Sequence, residues 1–109
     1  MRIKNFQSKK DQQKDHAKRR FAERLGVKLS QFLNDMLLNK IYTNQCKLVE
    51  KQSNRINVYE VTFMPRLIDM INGDPIEMTV HLVFDKYRKT IVTVSPPGQP
   101  FEDYSEELL

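Results

Sequence analysis

The apolar and polar positions divide the chain into a helical half followed by a strand half. Up to about residue 41, apolar residues recur every three to four positions, which is the period of an amphipathic helix. This spacing predicts two helices, at about residues 10–26 and 30–40. Gly26 is expected to end the first helix in a left-handed turn, and Ser30 to cap the start of the second.

Beyond the second helix the apolar period changes to two, which is typical of β-strands. Residues 42–51 form a weak first strand and residues 56–64 a better one, while residues 76–84 and 89–95 form a hairpin. Between them, residues 66–71 are bracketed by turn residues and remain open to a short helical turn or a loop. Two helices followed by three or four antiparallel strands predict an α+β domain with both helices packed on one face of the sheet.

The same pattern predicts the buried side chains. They are the apolar residues on the inner faces of the predicted elements: Phe21, Leu25, Phe32, Leu33, Met36, Val61, Phe63, Val80, Leu82 and Val92. Truncating Phe32 to alanine is therefore expected to cost about 3 to 5 kcal/mol.

Charge is unevenly distributed along the 109 residues, a length that suits one domain. Residues 1–28 hold ten Lys or Arg against three acidic residues, while residues 96–109 hold four acidic residues and no basic one. We interpret residues 1–14 as a basic frayed or disordered arm, 15–97 as the single domain and 98–109 as an acidic tail. A basic front favours a polyanion or an acidic partner, although a solubilising face is an alternative.

Cysteine content and hydropathy favour a soluble protein in a reducing cytoplasm. Cys46 is the only cysteine, so no intramolecular disulfide and no cysteine-based metal cluster can form. No segment approaches the roughly 18 apolar residues of a membrane span, and the first residues lack the apolar run of a secretory signal. There is neither a glycine-rich phosphate loop nor a metal-ligand cluster, so we expect no cofactor.

The densest cationic chemistry lies in the first predicted helix, from Asp15 to Gly26. His16, Arg20 and Arg24 recur every four residues, about 6 Å of rise per step, and form a stripe beside the apolar positions. One helix is thus expected to anchor the core and also to present an imidazole beside two guanidinium groups.

The pattern His-Ala-x-x-Arg-x-x-Glu-Arg-x-Gly, from His16 to Gly26, and the hairpin from Phe84 to Val94 together resemble the barnase, colicin D and RelE-like ribonuclease superfamily. Members of that group occur in toxins, phages and mobile elements. The resemblance covers about residues 15–97. It implies two helices followed by a four-stranded antiparallel sheet, and an enzyme that cuts RNA without a metal.

Such chemistry needs a base for the ribose 2′-OH, an acid for the departing 5′-oxygen and cations around the phosphorane. His16 is the first candidate because imidazole titrates near neutral pH. Arg20 and Arg24 suit phosphate oxygens, and Lys18, Arg19 and Lys28 are candidates for nucleic-acid binding. The resemblance adds Thr93 on the last strand, with His81 and Tyr87 in reserve. Each also has a structural interpretation: His16 as a helix-start residue, His81 as a hydrogen-bonded sheet histidine and Thr93 as an ordinary strand residue.

The main alternative is a non-catalytic phage or mobile-element protein, an inhibitor or accessory factor. Its basic helix would bind nucleic acid or an acidic protein surface. For a ribonuclease, the expected protein partner is an antitoxin or a host factor. A helix-turn-helix at residues 16–40 is disfavoured, because residues 28–38 are too apolar and acidic for a helix that reads a DNA groove.

Overall fold

A computed structural model describes residues 8–98, which form two helices followed by four strands. The elements are α1 Lys9–Leu25, α2 Gln31–Tyr42, β1 Lys47–Lys51, β2 Ile56–Phe63, β3 Met78–Asp85 and β4 Thr90–Ser95. A 3-10 turn, Leu67–Asp69, lies in the β2–β3 connection, so the helical alternative for residues 66–71 is confirmed.

Both helices begin at a serine cap. The Ser8 hydroxyl accepts a hydrogen bond from the Asp11 amide at 3.1 Å, and Ser30 accepts one from the Leu33 amide at 3.2 Å. Gly26 ends α1 with a φ of 66°, the left-handed conformation that the sequence predicted.

The first helix begins at Lys9, close to the predicted start at about residue 10. Residues 9–14, interpreted as part of a frayed or disordered arm, are helical, with Ser8 as the cap and Gln13 buried. Residues 1–7 and 99–109 lie outside the described residues, and with them the rest of the arm and nearly all of the predicted acidic tail.

The four strands form one antiparallel sheet in the order β1-β2-β3-β4, which confirms the predicted α+β fold. Because side chains alternate along a strand, each face of the sheet has its own set of residues. The register shifts at Val49 in β1 and at Val92 in β4, where one extra residue is inserted opposite the neighbouring strand.

The main core lies between the two helices and one face of the sheet, here called the helix face. It joins Ala17, Phe21, Leu33, Leu37 and Ile41 of the helices to Val61, Phe63, Val80, Leu82, Phe84, Ile91 and Val94 of the strands. A smaller buried cluster, Ile56, Val58, Val83 and Val92, lies on the other face, here called the open face. Seven of the ten predicted core residues are buried, and Leu25 and Met36 are half-buried against the main core.

Phe32 is the exception, and its prediction as a core residue was wrong. Its side chain is 53% exposed, and its ring lies 4.1 Å from the Arg66 guanidinium carbon. The buried row of α2 is Leu33, Leu37 and Ile41, spaced by four residues. Phe32 is rotated 100° from that row, so it lies at the flank of the helix rather than beneath it.

The first helix runs along β4, and all six residues of this edge strand are buried. Arg24 donates a hydrogen bond from Nη1 to the Val94 carbonyl at 2.9 Å. At the other end of the helix, the Gln13 amide donates to Oδ2 of Asp85 at 3.0 Å. The helix therefore covers β4 and is fixed at both of its ends.

Asp85 is fully buried and holds a network at the β3–β4 turn. Its carboxylate accepts hydrogen bonds from Arg55 at 2.7 Å, from Arg88 at 3.2 Å and from the backbone amides of Tyr87 and Arg88. Burial by itself would raise the pKa of Asp85. Hydrogen bonds from Arg55, Gln13 and the Arg88 backbone, together with the charge of Arg55, outweigh that effect and lower the pKa to about 2.

Between residues 8 and 98, neither helix has the length and apolar character needed to cross a membrane.

Candidate active site

Polar residues from three neighbouring strands form a row on the open face of the sheet. Glu60 of β2 pairs in register with His81 of β3, and His81 pairs with Ser95 of β4. Each is adjacent in sequence to a residue of the main core, Val61, Leu82 or Val94, and so faces away from the helices. Strands are spaced by about 4.8 Å, so the row is about 10 Å long.

The first two members of the row are in direct contact. Nε2 of His81 lies 3.2 Å from Oε2 of Glu60, which is a hydrogen bond and, with a protonated ring, an ion pair. The His81 side chain is 11% exposed and that of Glu60 is 39% exposed. The carboxylate is therefore the part of the pair that a ligand reaches first.

Arg24 brings a positive charge to the third member. Its Nη1 donates to the Ser95 hydroxyl at 3.1 Å as well as to the Val94 carbonyl. Because Val94 and Ser95 face opposite sides of the sheet, the guanidinium lies at the edge of β4 and reaches the open face from α1. Glu60, His81, Ser95 and Arg24, together called the polar row, thus place a carboxylate, an imidazole, a hydroxyl and a guanidinium in sequence.

The surroundings of the polar row differ at its two sides. Toward the β3–β4 turn lies the buried apolar cluster of Val58, Val83 and Val92. Toward the other end, the hydroxyls of Thr62 and Thr79 lie 2.7 Å apart and are exposed. The polar row therefore has an apolar wall on one side and a hydroxyl-lined, accessible surface on the other. An apolar wall strengthens electrostatic interactions beside it.

Thr93 lies next to this row on the open face, and its side chain is buried. It pairs with Val83 one step along the open face, and its side chain is only 1% exposed. Its hydroxyl makes no hydrogen bond to residues 8–98. Thr93 is thus close to the site but without the access that contact with a substrate requires.

His16 lies at the middle of α1. It precedes Arg24 by eight residues, which corresponds to about 12 Å along a helix. Its half-buried ring has Nδ1 3.5 Å from Nη2 of Arg19. Arg20 lies between them and forms an ion pair with Glu23 at 2.8 Å. Of the predicted stripe, Arg24 is the member that contacts the polar row.

The predicted nucleic-acid-binding residues, Lys18 and Arg19 of α1 and Lys28 after its end, do not share one surface. Lys18 and Lys28 are exposed and line a groove between the two helices. Arg19 follows Lys18 by 100° of helix rotation and lies beside His16 instead. Tyr87 is at the β3–β4 turn, where its ring lies 5.4 Å from the Arg55 guanidinium carbon.

Glu60 was missed in the sequence, and His81 was only a reserve candidate. Both lie in alternating strand segments, where a polar residue is expected on the exposed face, so neither one stands out alone. Their pairing follows from the β2–β3 register, which sets residues 21 apart in direct opposition. Arg24 was predicted only as one member of the cationic stripe, and its place beside the end of β4 follows from the packing of α1 along that strand.

The polar row can accept and donate protons beside a fixed positive charge. Carboxylate and imidazole are the two side chains most used for proton transfer, and imidazole titrates near neutral pH. A guanidinium stabilises negative charge that develops on phosphate oxygens. Among residues 8–98, no group of three or more His, Cys, Asp or Glu side chains is placed to hold a metal ion.

Comparison of the chain with protein-family models, with curated proteins and with solved structures finds no match.

Proposed function

We propose that the protein is a metal-independent endoribonuclease whose reaction takes place at the polar row. The observation that carries the proposal is the contact of 3.2 Å between Glu60 and His81, with Arg24 bound to the next residue of the same row. These are the three chemical groups that internal phosphoryl transfer in RNA requires: a base, an acid and a cation.

In the proposed reaction, Glu60 accepts the proton of a ribose 2′-OH while the 2′-oxygen attacks the adjacent phosphorus. The bond from the 2′-oxygen to phosphorus forms and the bond from phosphorus to the 5′-oxygen breaks. Protonated His81 donates its proton to that leaving oxygen. The products are a 2′,3′-cyclic phosphate and a 5′-hydroxyl, and exchange with water returns both side chains to their starting states.

Arg24 acts in this proposal through its charge. The phosphorane carries more negative charge on its oxygens than the starting diester does, so a nearby guanidinium stabilises it more than the substrate. The hydrogen bonds of Arg24 to Val94 and Ser95 hold this charge in place before RNA binds. A positioned charge needs little reorganisation during the reaction.

The order of the elements also supports the proposal. Two helices followed by a four-stranded antiparallel sheet are what the resemblance to the barnase, colicin D and RelE-like superfamily implies. The exposed Thr62 and Thr79 hydroxyls continue the accessible surface from Glu60 along the strands and offer hydrogen bonds to a bound strand of RNA.

Incubation of the purified chain with mixed RNA in a metal chelator tests this function. We expect cleavage products that end in a 2′,3′-cyclic phosphate, and a loss of about 10² to 10⁴ in rate for both Glu60→Gln and His81→Gln. Glu77→Gln, which makes the same change at an exposed carboxylate outside the polar row, is the matched control and should retain most of the activity. A wild-type protein that releases no more cyclic phosphate than His81→Gln would end the ribonuclease proposal.

A further inference from the structure

The connection between β2 and β3 exposes several large apolar side chains on one part of the surface. Leu67, Ile68 and Ile71 lie on this connection, and Phe32 adjoins it through its contact with Arg66. These four residues, here called the apolar platform, are between 52% and 78% exposed. Soluble proteins seldom expose several large apolar side chains together unless they bind a partner there.

The backbone beneath the apolar platform is held firmly. Met70 bridges to Val27 in antiparallel fashion, the Lys28 amide donates to the Asp69 carbonyl at 2.7 Å, and the Ile71 amide donates to the Gly26 carbonyl at 2.9 Å. The apolar side chains are therefore presented by a fixed segment, so their ordering costs little when a partner binds.

A buried carboxylate ties the same segment to α2. Asp69 pairs with Arg66 at 3.0 Å. Burial tends to raise the pKa of Asp69, but hydrogen bonds from Arg66 and Ser30 and the charges of Arg66 and Lys28 outweigh it, so its pKa is lowered. Because Arg66 also stacks on Phe32, a single ion pair fixes both parts of the platform.

A groove between α1 and α2 adjoins the platform at Ile71. Its volume is about 400 Å³, and Lys14, Lys18 and Lys28 contribute to its lining together with Leu29. No Asp or Glu is among the residues that line it. All charged residues that line this lysine groove are therefore positive, and the groove lies beside an apolar surface.

We propose that the lysine groove and the apolar platform together bind an acidic amphipathic helix of a partner protein. Leucine-like side chains at positions i, i+3, i+4 and i+7 of that helix cover the platform, and its carboxylates face the three lysines. Opposite charges speed the encounter and set the orientation, while the apolar contact supplies most of the affinity.

The structure favours a helix over an extended strand. A strand that adds to a protein pairs with a row of unbonded backbone groups. Here the amides of residues 69–71 and of Val27 and Lys28 are all bonded within the chain, so recognition must proceed through side chains.

The same surface is poorly suited to two other occupants. A second copy of this chain, related by twofold symmetry, would bring one set of lysines toward the other. An RNA strand would satisfy the lysines, but its phosphates would leave the exposed isoleucine and leucine side chains uncovered. An acidic amphipathic helix matches both the charge and the apolar surface.

A peptide of about 18 residues, built of Ala, Leu and Glu with leucines at the helical spacing above, is a direct probe of this proposal. Fluorescence anisotropy of the labelled peptide with the full chain should show saturable binding. The double variant Leu67→Ser/Ile68→Ser and the double variant Lys18→Glu/Lys28→Glu should each raise Kd at least about tenfold. Leu48→Ser and Lys47→Glu, exposed substitutions of the same kinds on β1, should leave Kd unchanged.

Three results would overturn the proposal. The first is that the wild-type chain shows no saturable binding. The second is that a peptide with lysine in place of glutamate binds as tightly as the glutamate peptide. The third is that the two double variants bind the peptide with the same affinity as the two β1 variants. If the lysine variant weakens only RNA binding, the groove is a polyanion site instead. The variants should retain wild-type circular dichroism. Since these residues are remote from the polar row, loss of ribonuclease activity in Glu60→Gln neither supports nor weakens this inference.

Discussion

The side chains of Gln13 and Asp85, which are 72 residues apart in the chain, meet in a hydrogen bond of 3.0 Å. Gln13 lies in the first half of α1, and Asp85 ends β3 at the turn into β4. Together with the contacts of Arg24 at the far end of the helix, this bond sets the position of α1 along β4. The buried network around Asp85 therefore helps to determine where the Arg24 charge lies.

Replacing Asp85 with asparagine should lower the free energy of unfolding by about 3 to 5 kcal/mol. The substitution keeps the size of the side chain but leaves the charges of Arg55 and Arg88 without their buried partner. Urea denaturation followed by circular dichroism would measure the change. Asp74→Asn, at an exposed position in the β2–β3 connection, is the matched control, and an equal effect of both would contradict the role given to Asp85.

Stability should fall in acid as Asp85 becomes protonated. Its pKa is lowered from 3.8 in the unfolded reference to about 2 in the folded protein. The ionised carboxylate therefore adds to the free energy of unfolding. This contribution is complete above pH 3.8 and is lost as the pH falls toward about 2. The difference corresponds to about 2 kcal/mol.

Asp85→Asn isolates this contribution. Between neutral pH and about pH 2, the wild-type protein should lose about 2 kcal/mol more of its unfolding free energy than the variant does. Other carboxylates, including Asp69, titrate in both proteins and cancel in the comparison. Parallel pH profiles for the two proteins would show that the Asp85 carboxylate has no lowered pKa in the folded state.

Neighbouring positions of α2 should respond very differently to truncation. Leu33 is buried in the main core, so Leu33→Ala should cost about 2 to 5 kcal/mol. Phe32→Ala should cost less than about 1.5 kcal/mol, because the ring is half exposed and loses mainly its contact with Arg66. If urea denaturation shows a greater loss of unfolding free energy for Phe32→Ala than for Leu33→Ala, then Phe32 rather than Leu33 faces the core, and the described packing of α2 is contradicted.

The sequence predicted the helices and the sheet because their periods and caps are local signals. Gly26 and Ser30 each ended or began a helix as expected, and the change from a period of three to four to a period of two marked the strands. The orientation of α2 was harder to predict, since Phe32 and Leu33 are both apolar and adjacent. Which of them faces the sheet depends on how the whole helix packs.

The candidate site was less predictable because it depends on strand register. Glu60, His81 and Ser95 are adjacent only when β2, β3 and β4 pair in their observed register, and the bulge at Val92 shifts that register by one residue. No local pattern in the sequence reports this shift. The cationic stripe of α1 was visible, but whether His16 or Arg24 meets the sheet face depends on the direction of α1 along β4.

The two histidines of the chain provide the most direct test of the proposed site. His81 belongs to the polar row, whereas His16 belongs to the cationic stripe of α1. His81→Gln and His16→Gln should be compared for release of 2′,3′-cyclic phosphate from RNA in a metal chelator, with circular dichroism to confirm that both fold. A reaction at the polar row predicts that His81→Gln loses about 10² to 10⁴ in rate while His16→Gln stays within a few-fold of wild type. Loss of activity in His16→Gln with His81→Gln unaffected would contradict it and place the reaction on the flank of α1.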